Sequence, residues 1–319
     1  MRCENRELEV AMTSSARPPA YTMRQLFVFV AVAETGTIRA AADRLHVSQS
    51  AVSLALTELE RGLRTQLCVR RRAHGVQLTP TGERVLLRAR ALLEQAGDLA
   101  AAAAGAEGEL TGPLAIGCYS SLGPTLLPRL LYEFNELHPR VTVDFVEDTQ
   151  DRLEQRLLSG ELDLAIVYDL DLSPELRRAR MDTRQPAVLL PADHRLVDAP
   201  VVELAELAGE PMVLLDAPPS SFHALQMCSQ AGFTPQIRFR PRNFETARAL
   251  VGRGFGWTLL IQRPRLDVTY EGLDVVVRTE VEPPIPEVDI LLVWSQDAFL
   301  SRVARAFVEF AVDGESIPF

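Results

Sequence analysis

From residue 114 onwards, short apolar runs alternate with stretches of helical periodicity, and this alternation restricts the fold of the larger part of the chain. The predicted strands are Leu114–Cys118, Val141–Val146, Leu162–Tyr168, Ala187–Leu190, Pro211–Leu215, Gln236–Phe239, Gly256–Ile261 and Ile290–Val293. The predicted helices are Leu122–His138, Gln150–Ser159, Ser221–Ala231, Phe244–Arg253 and Ala298–Val312. Such alternation favours right-handed crossovers and parallel sheets. We therefore predict two α/β lobes, with a ligand cleft between them at the carboxyl ends of the strands.

The first part of the chain has the spacing of short amphipathic helices instead. A helix is predicted over Met23–Thr35, a second begins after Thr37, and a third runs from about Gln49 to Leu63. Thr37 and Ser48 can cap the second and third helices, because a hydroxyl at this position accepts a backbone N–H of the first turn. This order, with a tight turn before the third helix, is typical of a helix-turn-helix, whose last helix faces base edges in the major groove. The DNA-binding residues predicted in this motif are Thr37, Ser48, Gln49, Ser50 and Ser53.

A short hairpin is predicted next, over Leu67–Thr79, and it has the composition of a DNA-binding wing. Arginine side chains on an exposed hairpin can pair with phosphates or enter the minor groove, which adds affinity more than sequence choice. The DNA-binding residues predicted in the wing are Arg70, Arg71, Arg72 and His74.

A long helix is predicted from about Thr81 to Ala104, with apolar residues three and four positions apart. This stripe predicts dimerisation, because the preceding domain is too small to cover all of it; the alternative is a helix that packs only on its own domain. The glycines and glutamates between Gly105 and Gly112 predict a linker.

The charge of the chain is divided unevenly, and this division matters more than the formal net charge of −10 at pH 7. From Thr22 to Ala96 there are eleven Arg against six acidic residues, whereas from Gly97 onwards there are nineteen Arg against thirty-four acidic residues. A basic N-terminal module suits contact with DNA phosphates; chance clustering on a solvated face is the alternative.

Particular stretches carry a resemblance to a known family. The sequences AAADRLHVSQSAVSLALTELE and LTPTGERVL resemble the DNA-binding domain of LysR-type transcriptional regulators, and DLAIVYDLDL and VGRGFGWTLL are similar to their effector-binding domain. The resemblance covers residues 22 to 312 and implies a periplasmic-binding-protein type II fold for the second domain. It also implies a homodimer or a dimer of dimers, an effector in the interlobe cleft, and control of nearby or divergently transcribed genes.

The predicted fold class is therefore α/β, with an N-terminal winged helix-turn-helix, a long linker helix and a two-lobed effector domain. Residues 1–21 are predicted to form a flexible tail, 22–80 the winged helix-turn-helix, 81–111 the linker and dimerisation helix with a hinge, and 112–319 the effector domain. Within the effector domain, lobe I comprises about 112–183 and 284–319, and lobe II about 184–283.

Three positions depart from the pattern of the family. Ser50 stands where the family often has Pro, Leu54 where it often has Arg, and Cys68 where Phe is common. The base contact that an Arg makes in relatives therefore cannot be assigned to Leu54.

Polar residues follow the predicted strands at the points where each strand gives way to a helix. Hydroxyls and free backbone N–H groups at a helix start can hold a carboxylate or another anion; the alternative is a plain helix cap. Family members often use a Thr or Ser after the second strand of this domain, which is the position of Thr149. The predicted effector-binding residues are Tyr119, Ser120, Ser121, Thr149, Tyr168, Ser220, Ser221 and Phe244.

Other chemistry has little support in the sequence. The four cysteines show no CxxC spacing, the five histidines are scattered, and no Ser, His and acid have the spacing of a triad, so no enzyme, metal site or cofactor is expected. A redox switch at Cys118, with Cys228 as its partner, is an alternative that an apolar neighbourhood disfavours. No apolar run is long enough to cross a membrane and no secretory signal is recognisable, so a cytoplasmic location is expected.

We therefore predict a transcription regulator whose partners are double-stranded promoter DNA, a small-molecule effector and further copies of itself, with RNA polymerase as a further candidate. One alternative is a cytoplasmic small-molecule carrier, which shares the two-lobed fold. The other is an architectural DNA binder without an effector response.

Overall fold

The computed structural model describes residues 19–71, 75–103, 110–262, 264 and 266–313. The chain forms two compact units, Met1–Leu93 and Glu94–Phe319, each with a core of its own. None of the described helices is both long and apolar enough to cross a membrane.

The first unit contains the predicted helices and hairpin. Its elements are α1 (Met23–Thr35), α2 (Ile38–Leu45), α3 (Gln49–Leu63), β1 (Cys68–Arg71), β2 (Gly75–Leu78) and α4 (Pro80–Ala103), whose last turns belong to the second unit. The predicted bounds of α1 and α3 are confirmed. Thr22, Thr37 and Ser48 each accept a backbone N–H from the helix that follows, which satisfies donors that a helix start leaves unpaired. Tyr21, the last residue of the predicted tail, packs against the core, and residues 1–18 of that tail lie outside the described residues.

The core of the first unit joins the helices to the wing. Phe29 of α1 and Leu67 are fully buried, and Ala89 of α4 packs in the same cluster. A carboxylate strengthens this connection, because Glu60 Oε1 accepts the backbone N–H of Leu67 at 2.8 Å and that of Cys68 at 3.0 Å. Charge-assisted hydrogen bonds therefore hold the end of α3 to the start of the wing.

The second unit contains two α/β lobes, as predicted. Its first elements are β3 (Gly112–Tyr119), α5 (Gly123–Leu137), β4 (Val141–Asp148), α6 (Gln150–Leu158), β5 (Leu164–Tyr168) and β6 (Leu176–Arg184). The chain continues with β7 (Ala187–Pro191), β8 (Val202–Glu203), β9 (Pro211–Val213), α7 (Ser220–Gln230), β10 (Gln236–Phe239), α8 (Phe244–Gly252), β11 (Thr258–Leu260) and β12 (Val275–Arg278). The last elements are β13 (Val281–Glu282), β14 (Val288–Ser295) and α9 (Arg302–Asp313).

The sheets of the two lobes have the same pattern of strand directions. The sheet of lobe I has the order β4-β3-β5-β14-β6, in which β3, β4 and β5 are parallel and β14 is antiparallel to both of its neighbours. In lobe II the order is β11-β7-β12, with β7 antiparallel to both neighbours. Trp257, just before β11, donates its backbone N–H to Pro211 and accepts that of Val213, so β9 and β10 extend this sheet.

The prediction of parallel sheets is wrong for one strand in each lobe. A right-handed crossover joins strands that follow one another in the same sheet, whereas β7 enters lobe II, and β14 re-enters lobe I, from the other lobe. These strands arrive without the crossover helix that a parallel neighbour requires, and they pair antiparallel. The strands β6, β8, β12 and β13 are absent from the prediction.

The two lobes pack against each other around one apolar core. This shared core contains Ile116 and Ile166 of lobe I together with Ala217, Ala247 and Leu260 of lobe II. A second cluster, around Trp257, lies within lobe II alone. Because the shared core crosses the cleft, any separation of the lobes exposes apolar surface to water and costs free energy.

The substitution Gly82→Ala tests the close packing of α4 on the residue before the wing. A Cβ at Gly82 would lie 2.1 Å from the carbonyl oxygen of Leu67, and backbone cannot move aside cheaply. We expect the first unit to lose about 1–3 kcal/mol of stability. Amide hydrogen exchange of the full chain measures this as faster exchange in α1 and α3.

Gly97→Ala, in the same helix, is the control for this experiment. Nothing lies within 4 Å of a Cβ at Gly97, and alanine favours a helix more than glycine does. Exchange in α1 and α3 should therefore stay at the level of the unsubstituted chain. Equal exchange in the two variants would contradict the close packing at Gly82.

Candidate DNA-reading surface and effector cleft

The helix α3 presents a mainly polar face to solvent on the side opposite its buried residues. Val52 and Leu59 are among the side chains that it buries in the first unit. Gln49 and Ser50, in the first turn, are exposed, and Ser53 is partly exposed one turn further on. The first turns of the second helix of a helix-turn-helix are the part that reaches base edges, so these three residues are available for that contact.

Thr37 and Ser48 act as helix caps in the structure. The hydroxyl of Thr37 accepts the N–H of Ala40 at 3.1 Å, and that of Ser48 accepts the N–H of Ala51 at 3.2 Å. Ser48 Oγ also lies 2.9 Å from Ser50 Oγ, so these two hydroxyls share a hydrogen bond. Both caps are exposed, and their structural role is compatible with a phosphate contact.

The wing is fixed to the turn between α1 and α2. Val76 of β2 donates its backbone N–H to the carbonyl of Gly36 at 2.7 Å. Gly75 has a φ of 76°, and a Cβ there would lie 2.4 Å from the same carbonyl oxygen, so the backbone conformation and the close approach both favour glycine. Of the predicted wing residues, Arg70 and Arg71 lie in β1, whereas Arg72 and His74 lie outside the described residues.

A groove of about 490 Å³ runs between α1 and α3, and the sequence did not predict it. Its apolar lining includes Phe27, Val28, Leu45, Val47 and Leu54. Phe27 is 55% exposed and Leu54 is 59% exposed. The helix that carries Gln49, Ser50 and Ser53, the predicted DNA-binding residues, therefore also exposes apolar surface.

In the second unit, a buried hydroxyl links the two lobes. Tyr119 ends β3 in lobe I, and its hydroxyl donates to the carbonyl oxygen of Ala217 at 2.7 Å and is hydrogen-bonded to Ser220 Oγ at 3.1 Å. Ser220 begins α7 in lobe II. Burial raises the pKa of Tyr119 to about 12, so the hydroxyl keeps its proton at neutral pH. Two predicted effector residues therefore hold the lobes together.

A second pair of predicted effector residues is buried next to this bond. Ser121 Oγ lies 3.4 Å from the hydroxyl of Tyr168, and burial raises the pKa of Tyr168. The rings of Tyr119 and Tyr168 pack edge to face, with their centroids 5.3 Å apart. We call this group the tyrosine cluster; its members are Tyr119, Ser121, Tyr168 and Ser220.

The side chains of the other four predicted effector residues do not take part in the hydrogen bonds given above for the tyrosine cluster. Ser120 is partly exposed after β3, and its backbone N–H donates to Asp148 at 3.1 Å. Thr149 precedes α6 but its side chain makes no capping hydrogen bond, which leaves its hydroxyl available. Ser221 is buried in α7, and Phe244 is half-buried in α8 against the shared core.

An open cavity of about 380 Å³ lies between α6, the loop after β5 and the start of α7. Its lining consists of Gln150, Asp151, Glu154, Gln155, Leu158, Leu170, Asp171, Ser173, Pro218, Pro219 and Phe222, with three acids and no cation among these described residues. Burial raises the pKa of Glu154, whose carboxylate accepts the backbone N–H of Ser173. Both lobes contribute to the cavity, and its size suits a small ligand.

Gln150 lines this cavity, and the sequence did not single it out. It is 3% exposed, and its Oε1 accepts the backbone N–H of Tyr168 at 3.2 Å while its Nε2 donates to the carbonyl of Leu170 at 2.6 Å. It thereby holds the start of α6 to the end of β5 and to the loop that follows β5. Glutamine at a predicted helix start usually faces solvent, so no sequence signal marked this residue as buried.

A second polar contact between the lobes lies where the chain crosses from one lobe to the other. Gln262, 1% exposed, donates its Nε2 to Thr125 Oγ1 of α5 and accepts the Nε of Arg184 on its Oε1 at 3.0 Å. Arg184 is the last residue of β6, the strand before the crossing. The crossing segment is therefore connected to both lobes through one amide side chain.

The three described cysteines, Cys68, Cys118 and Cys228, are all buried. Cys118 belongs to the shared core and Cys228 to the separate cluster of lobe II. Burial raises the pKa of both thiols, to about 11 for Cys228. Because the thiolate is the reactive form, both thiols are poorly reactive in this structure. Among the described residues, no three metal-ligating side chains come together.

Comparisons with known proteins agree with this organisation. Residues 23–83 match the model of bacterial regulatory helix-turn-helix proteins of the lysR family, and residues 107–315 match that of the LysR substrate binding domain. A probable hydrogen peroxide-inducible genes activator of Mycobacterium avium is 35% identical over 76% of this chain and 78% of its own length. The crystal structure of the C-terminal domain of a probable LysR family transcriptional regulator from Rhodococcus sp. RHA1 is 58% identical, with a TM-score of 0.62 over 63% of this chain and 99% of that one. Full-length CbnR, crystallised with its target DNA, is 25% identical, with a TM-score of 0.52 over 92% of this chain and 98% of that one.

A winged helix-turn-helix joined to a two-lobed α/β domain defines an effector-responsive transcription regulator. The chain belongs to the LysR family of transcriptional regulators, since the effector-domain model alone matches more than half of it. The first unit is the DNA-binding domain and the second is the effector-binding domain. The predicted fold class and the predicted regulatory function are confirmed.

The substitution Tyr119→Phe removes the interlobe hydrogen bond of the tyrosine cluster and keeps the ring. We expect the effector-binding domain to lose about 1 kcal/mol of stability, because Ala217 and Ser220 lose a buried partner. Urea unfolding followed by tryptophan fluorescence measures this, since the two tryptophans, Trp257 and Trp294, both lie in this domain. Tyr132→Phe is the matched control, because Tyr132 is 67% exposed. Equal midpoints for the two variants would argue against a stabilising interlobe bond.

Proposed function

We propose that this chain binds promoter DNA through α3 and the wing, and that a small molecule bound between the lobes changes this binding. The observation that carries the proposal is the exposure of Gln49 and Ser50 at the start of α3, on a helix whose opposite face is buried. These side chains would reach base edges, while the arginines of the wing would contact phosphates. We also propose that the protein is cytoplasmic and has no catalytic activity, and that RNA polymerase is a partner where the bound regulator activates transcription.

The linker helix supports an oligomer. Leu86 and Ala89 of α4 are buried in the first unit, whereas Leu92 and Leu99 are 38% and 73% exposed. Leu92 and Leu99 are seven residues apart and so lie on one face of the helix. We propose that this face pairs with the same face of a second copy, in a homodimer or a dimer of dimers. In this arrangement residues 22–80 read DNA, 81–111 join the copies, and 112–319 bind the effector.

For the effector site, we propose the tyrosine cluster together with Ser120, Thr149, Ser221 and Phe244, entered through the cavity between α6 and α7. A ligand that separates Tyr119 from lobe II has to replace the lost hydrogen bonds, since each buried unpaired polar group costs about 1–3 kcal/mol. The ligand then shifts the protein towards the lobe arrangement that it binds more tightly. The acidic lining of the cavity favours a neutral or cationic ligand over an anion at the entrance.

Binding of the purified full-length protein to its own upstream intergenic DNA tests the proposal. We expect specific binding that weakens steeply as salt rises, because phosphate contacts release counterions. Arg71→Ala should weaken binding to many sequences similarly, whereas Gln49→Ala should change the preference at one base pair, by about 1–3 kcal/mol. An unrelated duplex as competitor separates specific from nonspecific binding in a fluorescence anisotropy titration.

Each part of the proposal has an outcome that contradicts it. Binding without preference over the competitor would contradict the proposed function as a regulator and favour a small-molecule carrier.

A screen of amines, carboxylates and neutral metabolites on the DNA complex tests whether a small molecule changes DNA binding. Ser121→Ala or Thr149→Ala should abolish a response while leaving DNA binding intact. A complex that no metabolite alters would favour an architectural DNA binder.

The Mycobacterium avium relative is named a probable hydrogen peroxide-inducible genes activator, and the burial of the three described thiols disfavours a response of this chain to peroxide. We expect hydrogen peroxide to leave DNA binding unchanged and native Cys68, Cys118 and Cys228 to resist alkylation at pH 8. Peptide mapping by mass spectrometry measures the labelling, and labelling in urea is the control that each thiol reacts once it is exposed. Rapid native labelling of Cys118 would contradict this expectation.

A further inference from the structure

Leu54 is an apolar side chain at the centre of the outward face of α3. The buried residues of this helix, Val52, Leu56 and Leu59, all point the other way. Helical spacing places Ser50 one turn before Leu54 and Thr57 one turn after it on the same face, and both are exposed. Leu54 is 59% exposed among these polar neighbours.

The packing of the DNA-binding domain leaves more than half of the Leu54 side chain exposed. Its neighbours in the groove between α1 and α3 include Phe27, which is itself 55% exposed. The exposed part of the Leu54 side chain adds nothing to the stability of the fold, and it gains free energy only when another apolar group covers it. Leu54 and Phe27 line the same groove, and a contiguous exposed apolar patch is a feature of binding sites.

The position of Leu54 on α3 indicates what covers it. This helix is the one that enters the major groove in a helix-turn-helix, and Leu54 lies five residues after Gln49, or about 7.5 Å along the helix axis. Base edges in the major groove carry hydrogen-bonding groups and one apolar group, the C5-methyl of thymine.

We propose that Leu54 is a specificity-determining residue that reads a thymine in each half-site through its C5-methyl group. The inference rests on the proposed binding of α3 to DNA. Ser50 cannot take over this contact, because it has a polar hydroxyl, which is hydrogen-bonded to Ser48. Leu54 therefore selects thymine over cytosine, whose edge lacks the methyl group.

Replacement of thymine by deoxyuridine tests the proposal, because it removes the methyl group and keeps every hydrogen-bonding group of the base. The full-length protein first selects its preferred duplex from a random pool. Each thymine of that duplex is then replaced singly, and the dissociation constant is measured at fixed salt. We expect one position in each half-site at which deoxyuridine weakens binding about fourfold, the value for one buried methyl group.

Substitutions at Leu54 assign this effect to the side chain. Leu54→Ala should bind the thymine and deoxyuridine duplexes equally at that position, and Leu54→Met, which keeps an apolar contact, should retain the difference. Leu137→Ala is the matched control, because Leu137 is 62% exposed but lies in the effector-binding domain, and it should retain the full effect. If Leu54→Ala binds too weakly, lower salt strengthens the phosphate contacts and restores a measurable complex.

The outcomes separate this inference from the proposed function. A chain that selects no duplex would contradict DNA reading itself. A chain that selects a duplex but tolerates every deoxyuridine would overturn only the role of Leu54, as would a methyl effect that persists in Leu54→Ala. Unchanged binding by Leu54→Ala on every duplex would likewise overturn the role of Leu54.

Discussion

A buried hydroxyl has to find a hydrogen-bond partner within the protein, and in the effector-binding domain that partner lies in the other lobe. Tyr119 reaches from the end of β3 to Ala217 and Ser220 at the start of α7, and Ser121 lies against Tyr168. The buried hydroxyl groups at these strand ends therefore form hydrogen bonds with other groups of the site, next to the shared apolar core. A ligand that enters this site competes with hydrogen bonds that already exist, so its binding is coupled to the relative arrangement of the lobes.

Where local sequence determines an element, prediction and structure agree closely. The bounds of α1 and α3 follow from apolar periodicity, with Ser48 as the cap of α3, and both are local signals. The strand β6 has neither signal. Its sequence LRRARMDTR buries only Leu176 and Met181, and it becomes a strand because β14 pairs with it along its length. Pairing of this kind depends on residues a hundred positions away, which no local pattern reports.

The candidate site was predictable in position but not in its contacts. Hydroxyl residues at the end of β3 and the start of α7 were expected to face the cleft, and Tyr119 and Ser220 lie at the contact between the lobes. These residues form hydrogen bonds with one another because the two lobes approach closely. Spacing along the chain does not determine how closely the lobes approach. Gln150 is buried for a similar reason, since the backbone groups of Tyr168 and Leu170 that it satisfies belong to another part of the chain.

The order of the strands in lobe I affects how the protein is made. The strand β14, near the C-terminal end of the described chain, lies between β5 and β6, which come more than a hundred residues earlier. A ribosome releases the chain from its N-terminus, so β6 has no neighbour in its sheet until almost the whole protein has been synthesised. The DNA-binding domain, by contrast, contains every strand and helix of its core within the first third of the chain. The part that reads DNA can therefore fold on the nascent chain well before the part that controls it.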